Sequence, residues 1–231
     1  MEQIKKAVIT IENSEPTKAC VMLQQMNDAT RVHHIPIQDV AGMLYEGYEV
    51  EEEEVYERIG SMPAGYLDMK YCSKKNFMIA CLIEPEIRPY HYMVNCERLF
   101  LIPFPRCLFL FEVKDGDIRQ SKCFAVNNAG SSCVFPFPNV HDGGNICWGG
   151  NRKPKISAPC DVEHAINLFF SSGFNTHLYS STNTSLNMSI ENLLRYLEPL
   201  TQFPDEILVR TAKSMTCQEE IEKFFSSRGN V

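Results

Sequence analysis

One cysteine, Cys147, stands in a segment whose composition favours a rigid, irregular loop. Residues 135–150 read FPFPNVHDGGNICWGG, so two prolines fix φ while Asn139, Asp142 and four glycines favour turns. Ordering such a loop costs conformational entropy, and ordered loops of this kind usually carry function. A thiolate nucleophile needs access and open backbone N–H groups near its sulfur. We therefore predict that Cys147 is a nucleophile and that residues 135–150 form its active-site loop.

Three other side chains of this loop are candidates for supporting the cysteine. Asn139 lies eight residues before Cys147. Its amide could donate to a developing oxyanion or tie the loop together, and both roles fit the sequence equally. His141 and Asp142 could assist proton transfer, although a solvated turn is the commoner role of such a pair. A buried structural cysteine is the alternative interpretation of Cys147.

A metal site is the competing chemistry for this part of the chain. Three thiols and two imidazoles fall close together in sequence, at Cys133, His141, Cys147, Cys160 and His164. No two of the cysteines show the Cys-x-x-Cys spacing that usually opens a structural zinc site. The sequence also lacks a Walker loop, a dinucleotide fingerprint and a Gly-x-Ser-x-Gly elbow. It therefore predicts neither a metal nor an organic cofactor.

The overall composition is that of an ordinary globular protein. The 231 residues are 44% hydrophobic and 22% charged, and the net charge of -7 argues against a nucleic-acid surface. No apolar run approaches the roughly 20 residues that span a bilayer, and the N-terminus leads into no signal-peptide core. The ten cysteines are scattered and favour reduced thiols. We expect a cytoplasmic protein without a membrane or nucleic-acid partner.

The elements that must position the loop follow one another as strands first and helices later. Residues 4–12, 18–24 and 30–37 favour strands, and residues 38–59 favour a helix with an acidic run at 51–54, either a solvated face or a docking surface for a basic partner. Residues 66–124 contain apolar runs at 77–83, 90–94, 99–104, 107–113 and 118–124. Short turns join them, with a strong hairpin signal at Asp115-Gly116, so they predict an antiparallel meander. Residues 127–160 show little regular structure.

Three helices are predicted after the loop. Asp161 can cap a helix over 162–172 with Gly173 as its stop, and Ser189 can cap a second over 190–197. Thr216 and Glu219 form a capping-box pattern that opens a third helix through Phe225. The class is therefore α+β. We expect an N-terminal β-rich region at 1–65 and a main domain at 66–231.

Two stretches carry a family resemblance. Pro138-Asn139-Val140 and Gly144-Asn145-Ile146-Cys147 resemble the active site of ubiquitin-conjugating enzymes, in which His-Pro-Asn precedes Gly-x-Ile/Val-Cys at the same separation. Residues 169–177, FFSSGFNTH, are similar to the Phe-Phe-x-Ser-x-Phe-Thr-His stretch of PRTRC system protein B. That family is the prokaryotic ubiquitin-conjugating-like family D, carried mainly on plasmids and other mobile elements. The resemblance covers about residues 107–180.

The resemblance implies a fold and a function. The fold would be ubiquitin-conjugating-like, with an antiparallel meander, a long catalytic loop, C-terminal helices packed behind it and an added β-rich N-terminal region. Cys147 would take a ubiquitin-like protein as a thioester from a ThiF-type activating enzyme and pass it to an acceptor. A JAB-type deconjugating peptidase would belong to the same system. A non-catalytic module that only binds the ubiquitin-like protein is the alternative.

The resemblance also assigns residues. Asn139 takes the place of the motif asparagine, and His177 fits the histidine that these prokaryotic families carry after the cysteine, although a structural role suits it equally. Phe137 stands where the eukaryotic motif has histidine, and Trp148 replaces the usual leucine on the rim of the site. The tail of the ubiquitin-like protein would lie near Gly143 and Gly144, where missing side chains leave room.

Overall fold

A computed structural model describes residues 4–11, 18–25, 30–37, 39–40, 59–93 and 98–227. The chain divides into two compact units, residues 1–56 and residues 57–231. The first contains an antiparallel sheet in the order β1-β2-β3. Its strands are β1 (Ile4–Ile11), β2 (Lys18–Gln25) and β3 (Thr30–Pro36). The three strands predicted from the sequence are thus confirmed.

The predicted helix over 38–59 falls largely outside the described residues. Ile37, Asp39 and Val40 have helical backbone, and Ile59 does not belong to a helix or strand. Residues 41–58, which include the acidic run at 51–54, lie outside the described part of the chain.

Seven strands lie in the described part of the second unit. They are β4 (Tyr66–Ser73), β5 (Asn76–Ile83), β6 (Glu86–Tyr92), β7 (Arg98–Phe104), β8 (Arg106–Lys114), β9 (Asp117–Val126) and β10 (Ser132–Cys133). Five of them form one antiparallel sheet in the order β10-β9-β8-β5-β4. The hairpin predicted at Asp115-Gly116 is confirmed, because both residues have positive φ, 53° and 76°, and join β8 to β9.

The meander is interrupted where the sequence suggested that consecutive strands would pair. β5 pairs directly with β8, while β6 and β7 pair with each other in a separate two-stranded ribbon. Pro85 and Pro105 stand at the two points where the chain leaves and rejoins the sheet. Proline lacks an N–H for the sheet ladder, so it ends pairing at these places. The prediction of an unbroken meander was therefore wrong at the ribbon.

Three helices follow in the predicted places: α1 (Val162–Ser171), α2 (Ile190–Leu197) and α3 (Cys217–Ser226). The caps predicted for the second and third are confirmed, because Ser189 accepts from the Asn192 N–H and Thr216 accepts from the Glu219 N–H. The cap predicted for α1 was wrong. The Asp161 carboxylate instead accepts from the N–H groups of Ser157 and Ala158, in the turn before the helix.

The sheet of the second unit is covered on both faces. One face packs Phe109 and Phe111 of β8 against α1, α2 and the aromatic entrance of the 135–150 loop. The other packs Leu108, Leu110 and Phe124 against α3. All residues of β8 from 107 to 113 are buried, as expected for a central strand between two apolar layers.

The α+β class is confirmed. Among the described residues, no helix combines the length and the apolar character needed to cross a membrane.

Candidate active site

The 135–150 loop runs along the free edge of β9. β10 pairs with the end of that strand, and the loop continues along the same edge. The Cys123 N–H donates to the Gly144 carbonyl at 2.8 Å, and the Ile146 N–H donates to the Ser121 carbonyl at 3.0 Å. An uncovered strand edge would expose unpaired backbone groups. The loop therefore completes the sheet and is held in place by it.

Within the loop, residues 139–147 fold back on themselves as a short hairpin. The Cys147 N–H donates to the Asn139 carbonyl at 2.8 Å, and Val140 forms a bridge with Ile146. The His141 N–H donates to the Asn145 carbonyl, also at 2.8 Å. The separation of eight residues between Asn139 and Cys147 is therefore a hairpin register that places them opposite each other.

The 139–147 hairpin has a buried side and an accessible side. Val140 and Ile146 are buried in the main core, with 8% and 7% of their surface exposed. His141 and Asn145 are exposed, and Cys147 is half-buried. This alternation follows from the period of two along extended backbone. It leaves the Cys147 thiol at the surface on a backbone that the core fixes.

The two glycines of the hairpin turn have different environments. Gly143 is exposed with φ of 84°, and a Cβ there would meet no atom within 4 Å. Gly144 is buried with φ of 88°, and a Cβ there would lie 2.4 Å from Cζ of Phe124. Position 144 thus requires glycine for two reasons, the close approach of the Phe124 ring and the positive φ. Of the two, Gly143 is the one that leaves open space.

Asn139 connects the hairpin to the end of α1. Its Nδ2 donates to the Gly173 carbonyl at 3.2 Å, and its φ is 70°, which asparagine tolerates better than most residues. Gly173 itself is small for a packing reason, since a Cβ there would lie 2.6 Å from Cγ of Met93. The helix ends at Ser171, close to this predicted stop, and the φ of Gly173 is not positive. In this arrangement the Asn139 side chain supports the loop.

The aromatic residues around the cysteine are anchored. Trp148 is half-buried, packs on the main core and donates its Nε1–H to Ser121 Oγ at 3.0 Å. Phe137 is fully buried, with its ring centroid 4.8 Å from that of Phe104 and 5.5 Å from that of Tyr90. Phe137 therefore occupies a core position. The histidine of the eukaryotic motif would bury a polar imidazole at this position, which costs free energy.

His177 lies beside the hairpin turn. It is exposed, its backbone N–H donates to Asn175 Oδ1 at 2.9 Å, and it lines a cleft of about 410 Å³ together with His141 and Asp142. Cys147 is not among the residues that line this cleft. The structure thus brings His177 to His141 and Asp142.

Burial keeps four other thiols of the chain in the protonated form. Burial raises the pKa of Cys81 to about 12, and it also raises the pKa values of Cys123, Cys133 and Cys217. These sulfurs remain protonated thiols at neutral pH. The described residues hold no group of three or more His, Cys, Asp or Glu side chains placed to bind a metal. The five residues weighed for zinc therefore do not assemble into such a group.

Sequence reasoning missed three residues that hold the loop. Ser121 accepts from Trp148, Gly173 accepts from Asn139, and Lys122 Nζ donates to the Gly143 carbonyl at 3.2 Å. The pKa of Lys122 is lowered, first by burial and then by the nearby Lys223 ammonium. The only signal for Ser121 and Lys122 was the alternation along β9, which does not reveal that the loop pairs with that strand, and Gly173 was singled out only as the end of a helix.

The second unit is an α+β structure, in which the edge of the sheet holds the hairpin with Cys147 and helices pack behind the sheet. This arrangement is compatible with the fold of ubiquitin-conjugating enzymes, which are also called E2 enzymes. The model of prokaryotic E2 family D matches residues 55–211, and the chain belongs to this family. The match contains the five-stranded sheet, the 135–150 loop, α1 and α2. No curated protein and no solved structure matches the chain. The resemblance to family D is thereby confirmed, and at a coarse level the chain is a ubiquitin-conjugating-like transferase.

Proposed function

We propose that the protein carries a ubiquitin-like protein as a thioester on Cys147. The observation that carries this proposal is the 139–147 hairpin. Its register sets a half-buried thiol opposite the asparagine of the motif, on the edge of a sheet in a chain of the E2-like family. A position that is accessible yet rigid suits a nucleophile that receives a large partner.

The transfer consists of two balanced exchanges. The Cys147 sulfur attacks the thioester carbonyl that joins the ubiquitin-like protein to the activating enzyme. The resulting oxyanion collapses with loss of the activating enzyme's thiolate, which takes up the proton that Cys147 gives away. An acceptor nucleophile then attacks the new thioester and releases Cys147 as a thiol. Because thioester exchange is nearly isoenergetic, the site needs an accessible sulfur, a donor for the oxyanion and a docking face.

The residues around Cys147 have different supporting roles in this proposal. Asn139 positions the hairpin through Gly173, and its second amide hydrogen is available for an oxyanion. Trp148 forms the rim beside the sulfur, and Gly143 offers the open backbone for the tail of the ubiquitin-like protein. Gly144 holds the turn against Phe124. His177, with His141 and Asp142, would act from the neighbouring cleft on the incoming acceptor.

The partners follow from the proposed chemistry and the family. A ThiF-type activating enzyme would supply the ubiquitin-like protein, and a JAB-type peptidase would reverse the modification. The system would be of the PRTRC type or a related one on a mobile element, working in the cytoplasm. Residues 66–231 would form the conjugating domain and residues 1–65 an extension of it.

The test is the intact mass of the protein after incubation with ATP, an activating enzyme and a ubiquitin-like protein encoded beside it. We expect an adduct that thiol reagents remove, that is absent in Cys147→Ala and that remains in Cys160→Ala. Cys160 is a matched control because it is the next half-buried thiol along the chain. Cys147→Ser should trap an oxygen ester that thiol reagents release far more slowly.

Two outcomes would contradict the proposal. Transfer to a final acceptor by Cys147→Ser at the wild-type rate would show that another group carries the partner. Stable binding of the ubiquitin-like protein without any adduct would favour a binding module on the same fold.

A further inference from the structure

A second cleft, of about 620 Å³, opens between the turn of the 139–147 hairpin and α3. Its floor is apolar and includes Phe124, Phe135 and Val140. Three ammonium groups, those of Lys122, Lys213 and Lys223, also line it, and we call it the lysine cleft. Cys147 is not among its lining residues, although the hairpin turn with Gly143 and Gly144 forms part of its wall.

The three lysines are weakly neutralised. Lys122 donates to the neutral carbonyl of Gly143, and Lys223 lies 3.8 Å from the Glu220 carboxylate, a long ion pair. In the described part of the chain, no carboxylate forms an ion pair with Lys213. Such a cluster is notable in a protein whose net charge is -7, because like charges brought together raise the free energy of the site.

The charges also limit what could bind. Burial and the ammonium groups of Lys223 and Lys213 lower the pKa of Lys122, whereas Glu220 opposes this effect. Asp142 and Glu220 line the cleft as well, so three ammonium groups face two carboxylates. One unbalanced positive charge favours one negative charge on a ligand. A dianion would meet repulsion from the same two carboxylates.

We propose that the lysine cleft binds a small organic monoanion, such as an acyl or aromatic acid. Its acid group would lie among Lys122, Lys213 and Lys223, and its apolar body would cover Phe124, Phe135 and Val140. The volume lies within the range of small-molecule sites, roughly 300 to 1,000 Å³. The acid group competes with the Gly143 carbonyl for the Lys122 ammonium group. Binding of the ligand therefore weakens a contact that holds the turn of the hairpin.

The experiment uses the full chain and the fluorescent aromatic monoanion 8-anilinonaphthalene-1-sulfonate. Its neutral relative N-phenyl-1-naphthylamine, which lacks the sulfonate, should bind at least tenfold more weakly. The double variant Lys213→Glu/Lys223→Glu should raise the Kd of the sulfonate at least tenfold. The double variant Lys70→Glu/Lys114→Glu makes the same change of charge at exposed lysines outside the cleft and should alter it less than twofold.

A second pair of variants tests the cavity itself. Ala212→Trp adds an indole at an exposed lining position and should raise the Kd at least tenfold. Ala129→Trp adds the same indole in an exposed turn elsewhere and should leave the Kd unchanged. Cys147→Ala should bind the sulfonate like the wild type, which separates this inference from the proposed thioester chemistry.

Competition then defines the ligand class. Octanoate should displace the sulfonate at lower concentration than either 1-octanol or octyl phosphate. Undetectable binding of the sulfonate, equal binding of its neutral relative, or insensitivity to Ala212→Trp would each overturn the proposal. Displacement by hexaglutamate at lower concentration than by octanoate would also overturn it, in favour of an acidic protein segment.

Discussion

At the scale of single residues, Asn139 combines two properties that are usually separate. Its amide bonds to the end of α1, and its backbone adopts a left-handed conformation opposite the proposed nucleophile. Asparagine satisfies both requirements, because it tolerates positive φ and also carries a donor. Glycine would satisfy only the first and alanine neither.

This difference predicts an order of stability. Asn139→Gly should lower the free energy of unfolding by about 1 kcal/mol, the usual contribution of one hydrogen bond. Asn139→Ala should cost about 0.5 to 1 kcal/mol more, because a Cβ disfavours the φ of 70°. Urea denaturation measures both changes, with Asn128→Ala in an exposed turn as a comparison. Equal stability of the two Asn139 variants would show that the backbone relaxes.

The same substitutions bear on the proposed transfer. If Asn139 acts only by positioning the hairpin, thioester formation should slow in proportion to the loss of stability. If its amide also binds the oxyanion, both variants should slow transfer to a similar extent, whatever their stability. Single-turnover transfer rates for the two variants separate these roles.

At the scale of elements, α3 begins with a reciprocal cap. The Thr216 hydroxyl accepts from the Glu219 N–H at 3.2 Å, and the Thr216 N–H donates to Glu219 Oε2 at 2.7 Å. The backbone and hydroxyl donors of Thr216 lower the pKa of Glu219. This contribution is therefore present at neutral pH and is lost as the pH falls through the depressed folded-state pKa.

We expect Thr216→Ala to lower the free energy of unfolding by about 1 kcal/mol at neutral pH. The loss should be smaller at acidic pH, where protonation of Glu219 already weakens the cap. Chemical denaturation at the two pH values checks this, and Thr176→Ala replaces an exposed threonine outside any helix as a control. An equal loss for both variants would mean that the cap contributes nothing specific.

Local patterns in the sequence predicted local structure well. The three N-terminal strands, the turn at Asp115-Gly116 and the caps of α2 and α3 all depend on neighbours within a few residues. The pairing of β5 with β8 depends on residues far apart in sequence, and strand patterns alone do not determine which edges meet. Asp161 illustrates the same limit on a smaller scale. Its carboxylate could accept a hydrogen bond either from the first turn of α1 or from the turn before the helix, and the sequence did not show which of the two it would be.

The candidate site was predicted in part. The composition of residues 135–150 indicated an ordered loop around Cys147, and the structure shows such a loop. Its hairpin register was not predicted, because Val140 and Ile146 alone are too few β-branched residues to mark two strands around the turn. The need for glycine at position 144 comes from the Phe124 ring, 20 residues earlier in the chain, and a sequence pattern carries no trace of that contact.

At the scale of the whole molecule, buried thiols link stability to pH. The pKa of Cys81 is raised to about 12 by burial, with a smaller contribution from the Glu163 carboxylate. In the unfolded chain the pKa of this thiol lies near its ordinary value of 9.0. Between these values the folded state holds a proton that the unfolded state has lost, so stability falls as the pH rises.

We expect the free energy of unfolding to fall above pH 9 by up to about 1.4 kcal/mol per pH unit for each such thiol. Cys81→Ala should lower stability at pH 7 through the lost packing and should make the decline above pH 9 shallower. Denaturation curves at pH 7, 9 and 10 measure the slope. An unchanged slope in the variant would show that Cys81 ionises alike in both states.

The hairpin register has a consequence for how this site can diverge. The turn at residues 142–144 fixes how many peptide units separate Asn139 from Cys147, whereas Asp142 is exposed and a Cβ at Gly143 would meet no atom within 4 Å. Replacing Asp142 leaves the register intact. Inserting one residue would displace one arm by about 3.3 Å relative to the other and turn its side chains to the opposite side. Variation in this turn must therefore preserve its length and Gly144, while positions 142 and 143 are free to change.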